Sequence, residues 1–237
     1  MFLPSLWEAS LMSPHGAGAD RGSSSTLSPG GIRTWQLSEK LQSPIIIFTI
    51  GGPGCGKGSQ SMRMAQKYNF THLAVGDLLR EEAIRPTTRA KAIRDIMLNG
   101  ALVPSGFIMD LLMDRLQKVE NVKGFIVESF PREINQAKLF EELVGRLPNM
   151  VIVFDCSTET MIQRLLIRSQ MGQRVDDHES IIRQRLETHY TQCEPIVAHY
   201  LQKGILRNII GEEPPDIVFD KCCSVVDDVL KGATSKA

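Results

Sequence analysis

Residues 45–50 read Ile-Ile-Ile-Phe-Thr-Ile and run directly into Gly51-Gly52-Pro53-Gly54-Cys55-Gly56-Lys57-Gly58-Ser59. A short, β-branched, almost wholly apolar run that stops at glycines is the pattern of a strand buried on both faces. The segment after Ser59 has helical periodicity, so the glycines lie between a strand and a helix. That context makes G-x-x-x-x-G-K a phosphate-binding loop. The glycines let the backbone curl until successive N–H groups converge on phosphate oxygens, the helix N-terminus adds its positive end, and a lysine reaches the outer phosphates. In this loop the hydroxyl residue, Ser59, comes one place later than usual because Gly58 follows the lysine. Cys55 is read as a small loop residue, although a thiol at a helix start can be activated.

Outward from the loop, apolar runs recur at Gly124–Val127, Met150–Phe154 and Ile205–Ile210, with a weaker one at Thr71–Ala74. Helix-period segments separate them: Ser59–Tyr68, Asp77–Ala83, Thr88–Leu98, Phe107–Val119, Gln136–Leu147, Thr158–Arg168, Glu179–Cys193 and Val218–Leu230. Strands alternating with helices imply right-handed crossovers and a parallel sheet covered on both faces. The expected fold is therefore α/β, a P-loop three-layer sandwich around about five parallel strands. Pro195 predicts a break or kink in its helix. Asn99–Gly106 and Ser169–Asp177 read as exposed loops.

The 237 residues suit one domain with a buried core, and 42% apolar with 23% charged residues is an ordinary soluble composition. Formal net charge is zero, so no global field recruits nucleic acid or an anionic membrane, and anion binding must come from local Lys and Arg clusters. Five cysteines in no regular framework suit a reducing compartment. Cys222 and Cys223 are adjacent but lack the C-x-x-C spacing or a nearby His of a metal site, and read as small residues on a helix. The opening MFLPSLW lacks the basic region and apolar core of a secretory signal, and residues 1–42 match a mitochondrial presequence poorly. Ser, Gly and Pro crowd residues 13–31, so residues 1–42 are expected to be a flexible extension, with 43–232 the folded domain and 233–237 a tail.

The loop, together with GDLLREE (76–82), NGALVPSG (99–106), SFPRE (129–133), QRLLIR (163–168), QRVDDHE (173–179) and QRLETHY (184–190), resembles the nucleoside monophosphate kinases, specifically the short-lid adenylate kinases. The blocks keep the family's order and spacing over about residues 43–232. The resemblance implies Mg²⁺-dependent, reversible transfer of a phosphoryl group from ATP to AMP, giving two ADP. It also implies a helical monophosphate-binding flap near 74–103 and a short lid at 169–177. Bringing two polyanionic chains together asks mainly for positioning and positive charge, and bidentate arginines suit phosphate oxygens.

By that resemblance Gly54, Cys55, Gly56, Lys57, Gly58 and Ser59 hold ATP with Arg168. Arg80 and Arg132 hold the acceptor phosphate, and Arg168, Arg174 and Arg185 surround the transferred group. Val75, Ala101, Leu102, Val103, Ser129, Phe130 and Pro131 wall the AMP pocket, and Gln136 reads the adenine edge. Asp176 and Asp177 shape the lid. Arg164, one turn before Arg168, reads as a solvated helix residue. No direct metal ligand is expected; Ser59 and Glu128 act through Mg-bound water. A cytoplasmic monomer with nucleotide partners only, neither nucleic acid nor membrane, is the default.

Two residues depart from the family pattern. Where it has Asp-Gly before the aromatic-Pro-Arg run, this chain has Glu128-Ser129. Glu128 moves a carboxylate outward by a methylene, and Ser129 puts a side chain where backbone nears the acceptor, crowding it or straining the chain. Val75 replaces a threonine that adenylate kinases favour. These departures leave two alternatives open: a UMP/CMP kinase, and a nucleotide-binding regulatory module with little turnover.

Overall fold

The computed structural model describes residues 39–172 and 176–234, with side chains through 232. The expectations for residues 1–38, for Arg174 and for 235–237 lie outside the described residues. Five strands form one parallel sheet: β1 (Ile45–Gly51), β2 (Thr71–Ala74), β3 (Gly124–Glu128), β4 (Met150–Asp155) and β5 (Leu206–Ile210), in the order β2-β3-β1-β4-β5. β1 lies between β3 and β4, with Phe48 opposite Val127 on one side and Val151 on the other. The chain leaves β1 toward one edge and crosses to the other after β3. The crevice that this reversal opens at the strands' carboxyl ends is where such sheets place ligands.

Eight helices are described: α1 (Lys57–Tyr68), α2 (Val75–Ala83), α3 (Thr88–Leu98), α4 (Ser105–Lys118), α5 (Ile134–Val144), α6 (Thr158–Gln170), α7 (Glu179–Gln202) and α8 (Pro215–Thr234). The two-residue period of β1 sorts them onto two faces. Ile46, Phe48 and Ile50 join a core with α2, α4, α5 and the second half of α7, where Phe48 packs edge-on against Phe130 and Phe140. Ile45 and Ile47 join a second core with α1, α6, α8 and the first half of α7. No helix among the described residues is long and apolar enough to cross a membrane.

The fold departs from expectation in three places. α7 continues past Pro195 as a 24-residue helix, so the proline does not break it near Cys193. Proline removes one intrahelical hydrogen bond, but Cys193, Ile196, Val197 and Tyr200 are all buried, and their packing holds both sides of the interruption together. Ser169 and Gln170, expected in the lid loop, close the last turn of α6. Residues at the end of the expected extension also pack on the domain: Leu41 is fully buried, and Arg146 donates from Nε to the Leu41 carbonyl at 2.8 Å. Cys222 and Cys223 are buried on α8, and both are free thiols.

Candidate active site

The loop between β1 and α1 takes backbone conformations that side chains resist. Gly54 and Gly56 have φ of 85° and 89°, and Gly56 is the N-cap of α1. Lys57 begins the helix and folds back, its ammonium donating to the Gly52 carbonyl at 2.9 Å. Gly58 has a specific reason to lack a side chain: a Cβ there would lie 3.1 Å from Glu128 Oε1. The shift that delays the hydroxyl to Ser59 thus leaves room for the carboxylate at the end of β3.

A cavity of about 550 Å³ opens over this loop, within the range of small-molecule sites. Its wall brings together Gly54, Gly56, Lys57, Gly58 and Ser59 from the loop, Arg80 from α2, Ala101 and Leu102 after α3, Glu128 at the end of β3 with Ser129, Pro131 and Arg132 after it, Arg168 from α6, and Asp176 and Arg185 around the start of α7. Cys55, Val75, Val103, Phe130 and Gln136 are buried behind that wall. Gln136 has its amide oxygen occupied by the Arg132 backbone N–H at 2.9 Å. Its side chain holds the turn that presents Arg132.

The cations crowd one another. Burial and the neighbouring Arg185 and Arg80 push the Arg132 guanidinium down to about 10, against the opposing pull of Glu128 and Asp176. Lys57 is also lowered, chiefly by burial, with Cys55 and Glu128 pulling the other way. Carboxylates hold the arginines in place. Asp177, whose side chain is fully buried, receives Arg168 in a two-pronged pair at 2.6 and 2.7 Å and Arg185 at 3.1 Å, while Asp176 receives Arg185 at 3.0 Å. Arg80 is ion-paired to Asp77. Gly76 lies between guanidinium groups, since a Cβ on it would meet Arg80 Nη2 at 3.2 Å and Arg132 Nη2 at 3.5 Å.

Glu128 reaches outward to His72 on β2, which meets Oε2 at 2.9 Å. Ser129 adopts the strained alternative, with φ of 59° in the left-handed region. Its N–H donates to Thr49 O at 2.9 Å, and Arg132 Nε donates to its carbonyl at 3.2 Å.

Several wall residues were not singled out from sequence. Arg164 is one correction: it is not a solvated helix residue but lines the cavity and donates to Gly211 O at 2.8 Å. A turn of α6 before Arg168, it faces the same way, which its i, i+4 spacing allowed. Arg185, Thr188, His189, Cys193 and Ile196 form one face of α7 toward the cavity. Fixing Arg185 in the site fixes the others by helical phase.

Residues 49–205 match the family model described as adenylate kinase. The chain belongs to the adenylate kinase family. It is 43% identical to human adenylate kinase isoenzyme 1 over 192 residues, covering 81% of this chain and 98% of that protein, and equally so to the pig isoenzyme 1. It is 44% identical to mouse adenylate kinase isoenzyme 5 over 193 residues, which is 34% of that longer protein. The chain is accordingly an adenylate kinase, a phosphotransferase of the nucleoside monophosphate kinase class that acts on nucleotides; the pyrimidine-directed and regulatory alternatives are not favoured.

Proposed function

We propose that the chain catalyses ATP + AMP ⇌ 2 ADP with Mg²⁺, as a cytoplasmic monomer. The observation that carries this reading is one cavity in which Lys57 at the loop faces Arg80, Arg132 and Arg185 on other elements. One phosphate chain needs the loop and its lysine; a second set of arginines is the complement of a second anion. Lys57 leaves the Gly52 carbonyl for the outer phosphates of ATP. Arg80 and Arg132 hold the acceptor phosphate in line with it, and Arg168, Arg174 and Arg185 spread over the charge that develops on the moving group. The segment at 169–177 acts as a lid and residues 74–103 as a flap, which together exclude the water that would otherwise accept the phosphoryl group.

Ser59 and Glu128 are oxygen donors on the cavity wall beside Gly58, the hard-ligand chemistry that Mg²⁺ takes. They would hold the ion through its water shell. When bound, Mg²⁺ neutralises charge on the phosphates and orients them.

The deciding experiment is a coupled assay with Mg-ATP and AMP, UMP or CMP, on the full chain and its Lys57→Met variant. ADP formation with AMP favoured in kcat/KM, and a turnover at least about a hundredfold lower in the variant, is expected. Nucleotide binding without ADP formation, or preference for a pyrimidine monophosphate, would refute the reading.

A further inference from the structure

On the α7 face that lines the cavity, Arg185 and Thr188 have hydrogen-bond partners. Arg185 is paired with Asp176 and Asp177, and Thr188 Oγ1 donates to Gln184 O at 2.8 Å and Gly100 O at 3.2 Å. His189, one turn beyond Arg185, has its Nε2 buried and without a hydrogen-bond partner. Its ring packs beside Tyr190 at 5.4 Å between centroids, and its Cδ2 edge lies against the phosphate loop, where a Cβ on Gly52 would meet it at 3.2 Å. Nε2 is bonded to Cδ2. The orphaned nitrogen therefore sits at the residue whose carbonyl receives Lys57.

A buried polar atom with no partner is a rare feature that asks for an explanation. Here the surroundings supply one. Burial, then Lys57 and Arg132, hold the imidazole down to about 3, so it is neutral, and its Nε2–H tautomer has one N–H to donate there. An anion that draws Lys57 and Arg132 toward it brings oxygen acceptors to the same place. A cationic side chain in this position would add to the repulsion already present; a neutral donor does not.

Resting on the reading of the loop as the polyphosphate site, we propose that His189 is a further phosphate-binding residue, donating from Nε2 to an oxygen of the chain that the loop holds. The contact forms as Lys57 leaves the Gly52 carbonyl, which opens the space beside the imidazole edge. The ligand class is a polyphosphate, and the base and sugar play no part in the contact.

The test uses tripolyphosphate, ATP and adenosine in calorimetric titrations of the full chain and of His189→Phe and His189→Gln. Phenylalanine keeps a ring without a donor, and glutamine returns an amide N–H near the Nε2 position. The phenylalanine variant is expected to lose roughly five- to tenfold in affinity for tripolyphosphate and ATP, the scale of one hydrogen bond. Its adenosine affinity stays unchanged, and the glutamine variant recovers most of the loss. In parent protein labelled with ¹⁵N-histidine, the His189 Nε2 resonance shifts on adding tripolyphosphate, a readout that needs no variant. Tripolyphosphate affinity within twofold of the parent in His189→Phe, an equal loss in His189→Gln, or an unmoved Nε2 resonance would each overturn the proposal. Failure of the parent chain to bind tripolyphosphate in competition with ATP would instead remove the loop reading beneath it.

Discussion

Replacing Ser129 with glycine should make the protein more stable, although it removes a side chain and makes no new contact. Ser129 is held at φ 59° by two hydrogen bonds, its N–H donating to Thr49 O at 2.9 Å and its carbonyl accepting from the Arg132 side-chain Nε at 3.2 Å. A residue with a Cβ in that region costs about 1–2 kcal/mol. Glycine abolishes that cost but gains freedom in the unfolded chain, which takes back roughly 0.4–1 kcal/mol. The net is about 0.5–1 kcal/mol of stabilisation, or roughly 1–4 °C in Tm for a domain of this size. Urea denaturation followed by circular dichroism at pH 7 measures it, with Ser129→Ala as the control. Alanine removes the hydroxyl but keeps the Cβ, and should leave stability where it was. Equal stabilisation by alanine would show that the hydroxyl, not the backbone, was the burden. A glycine variant less stable than the parent would refute the strain argument outright.

Asp177→Ala should destabilise by roughly 2–4 kcal/mol in the same urea assay, toward the low end for a buried pair because Arg168 and Arg185 remain partly exposed and can regain water; a loss under 0.5 kcal/mol would mean the pairs are ornamental. His189 predicts a pH effect with a definite sign. Its folded-state pKa of about 3 lies below the ordinary 6.5, so the unfolded chain binds the proton more readily. Its contribution is full above about pH 6.5 and is lost as pH falls from there toward 3, at up to about 1.4 kcal/mol per pH unit. The difference in unfolding free energy between the parent and His189→Phe, measured from pH 7 to pH 4, should follow that slope, and a flat difference would contradict it.

Much of this molecule is written locally in its sequence. Ile45–Ile50 and the glycines after it carry enough information to specify a buried strand, a phosphate loop and a helix, because each depends on neighbouring residues. The parallel sheet follows from alternation alone. What local reading misjudges is decided by contacts between distant segments. Pro195 looks like a stop until Cys193, Ile196, Val197 and Tyr200 are seen buried on both sides of it. Arg164 looks solvated until the turn at Gly211 comes beneath it. His189 lies inside QRLETHY (184–190), but only the phase of α7 relative to Arg185 turns it toward the cavity.

The carboxylates among the arginines raise an apparent paradox: a site that must bind phosphate places Asp176 and Asp177 against two of the cations meant to do it. The geometry resolves it. A guanidinium has five N–H donors in a rigid fork. Asp177 engages Arg168 through Nε and Nη2, which leaves three donors on a group that lines the cavity. The acids orient the arginines without exhausting them. They also lower the mutual repulsion that the cavity would otherwise impose on closely packed cations, a repulsion that adds to burial in depressing Arg132. Phosphate then completes a charge balance that the protein has only partly met. Affinity for a dense anion follows from that deficit, and the carboxylates limit how far weaker anions can satisfy it.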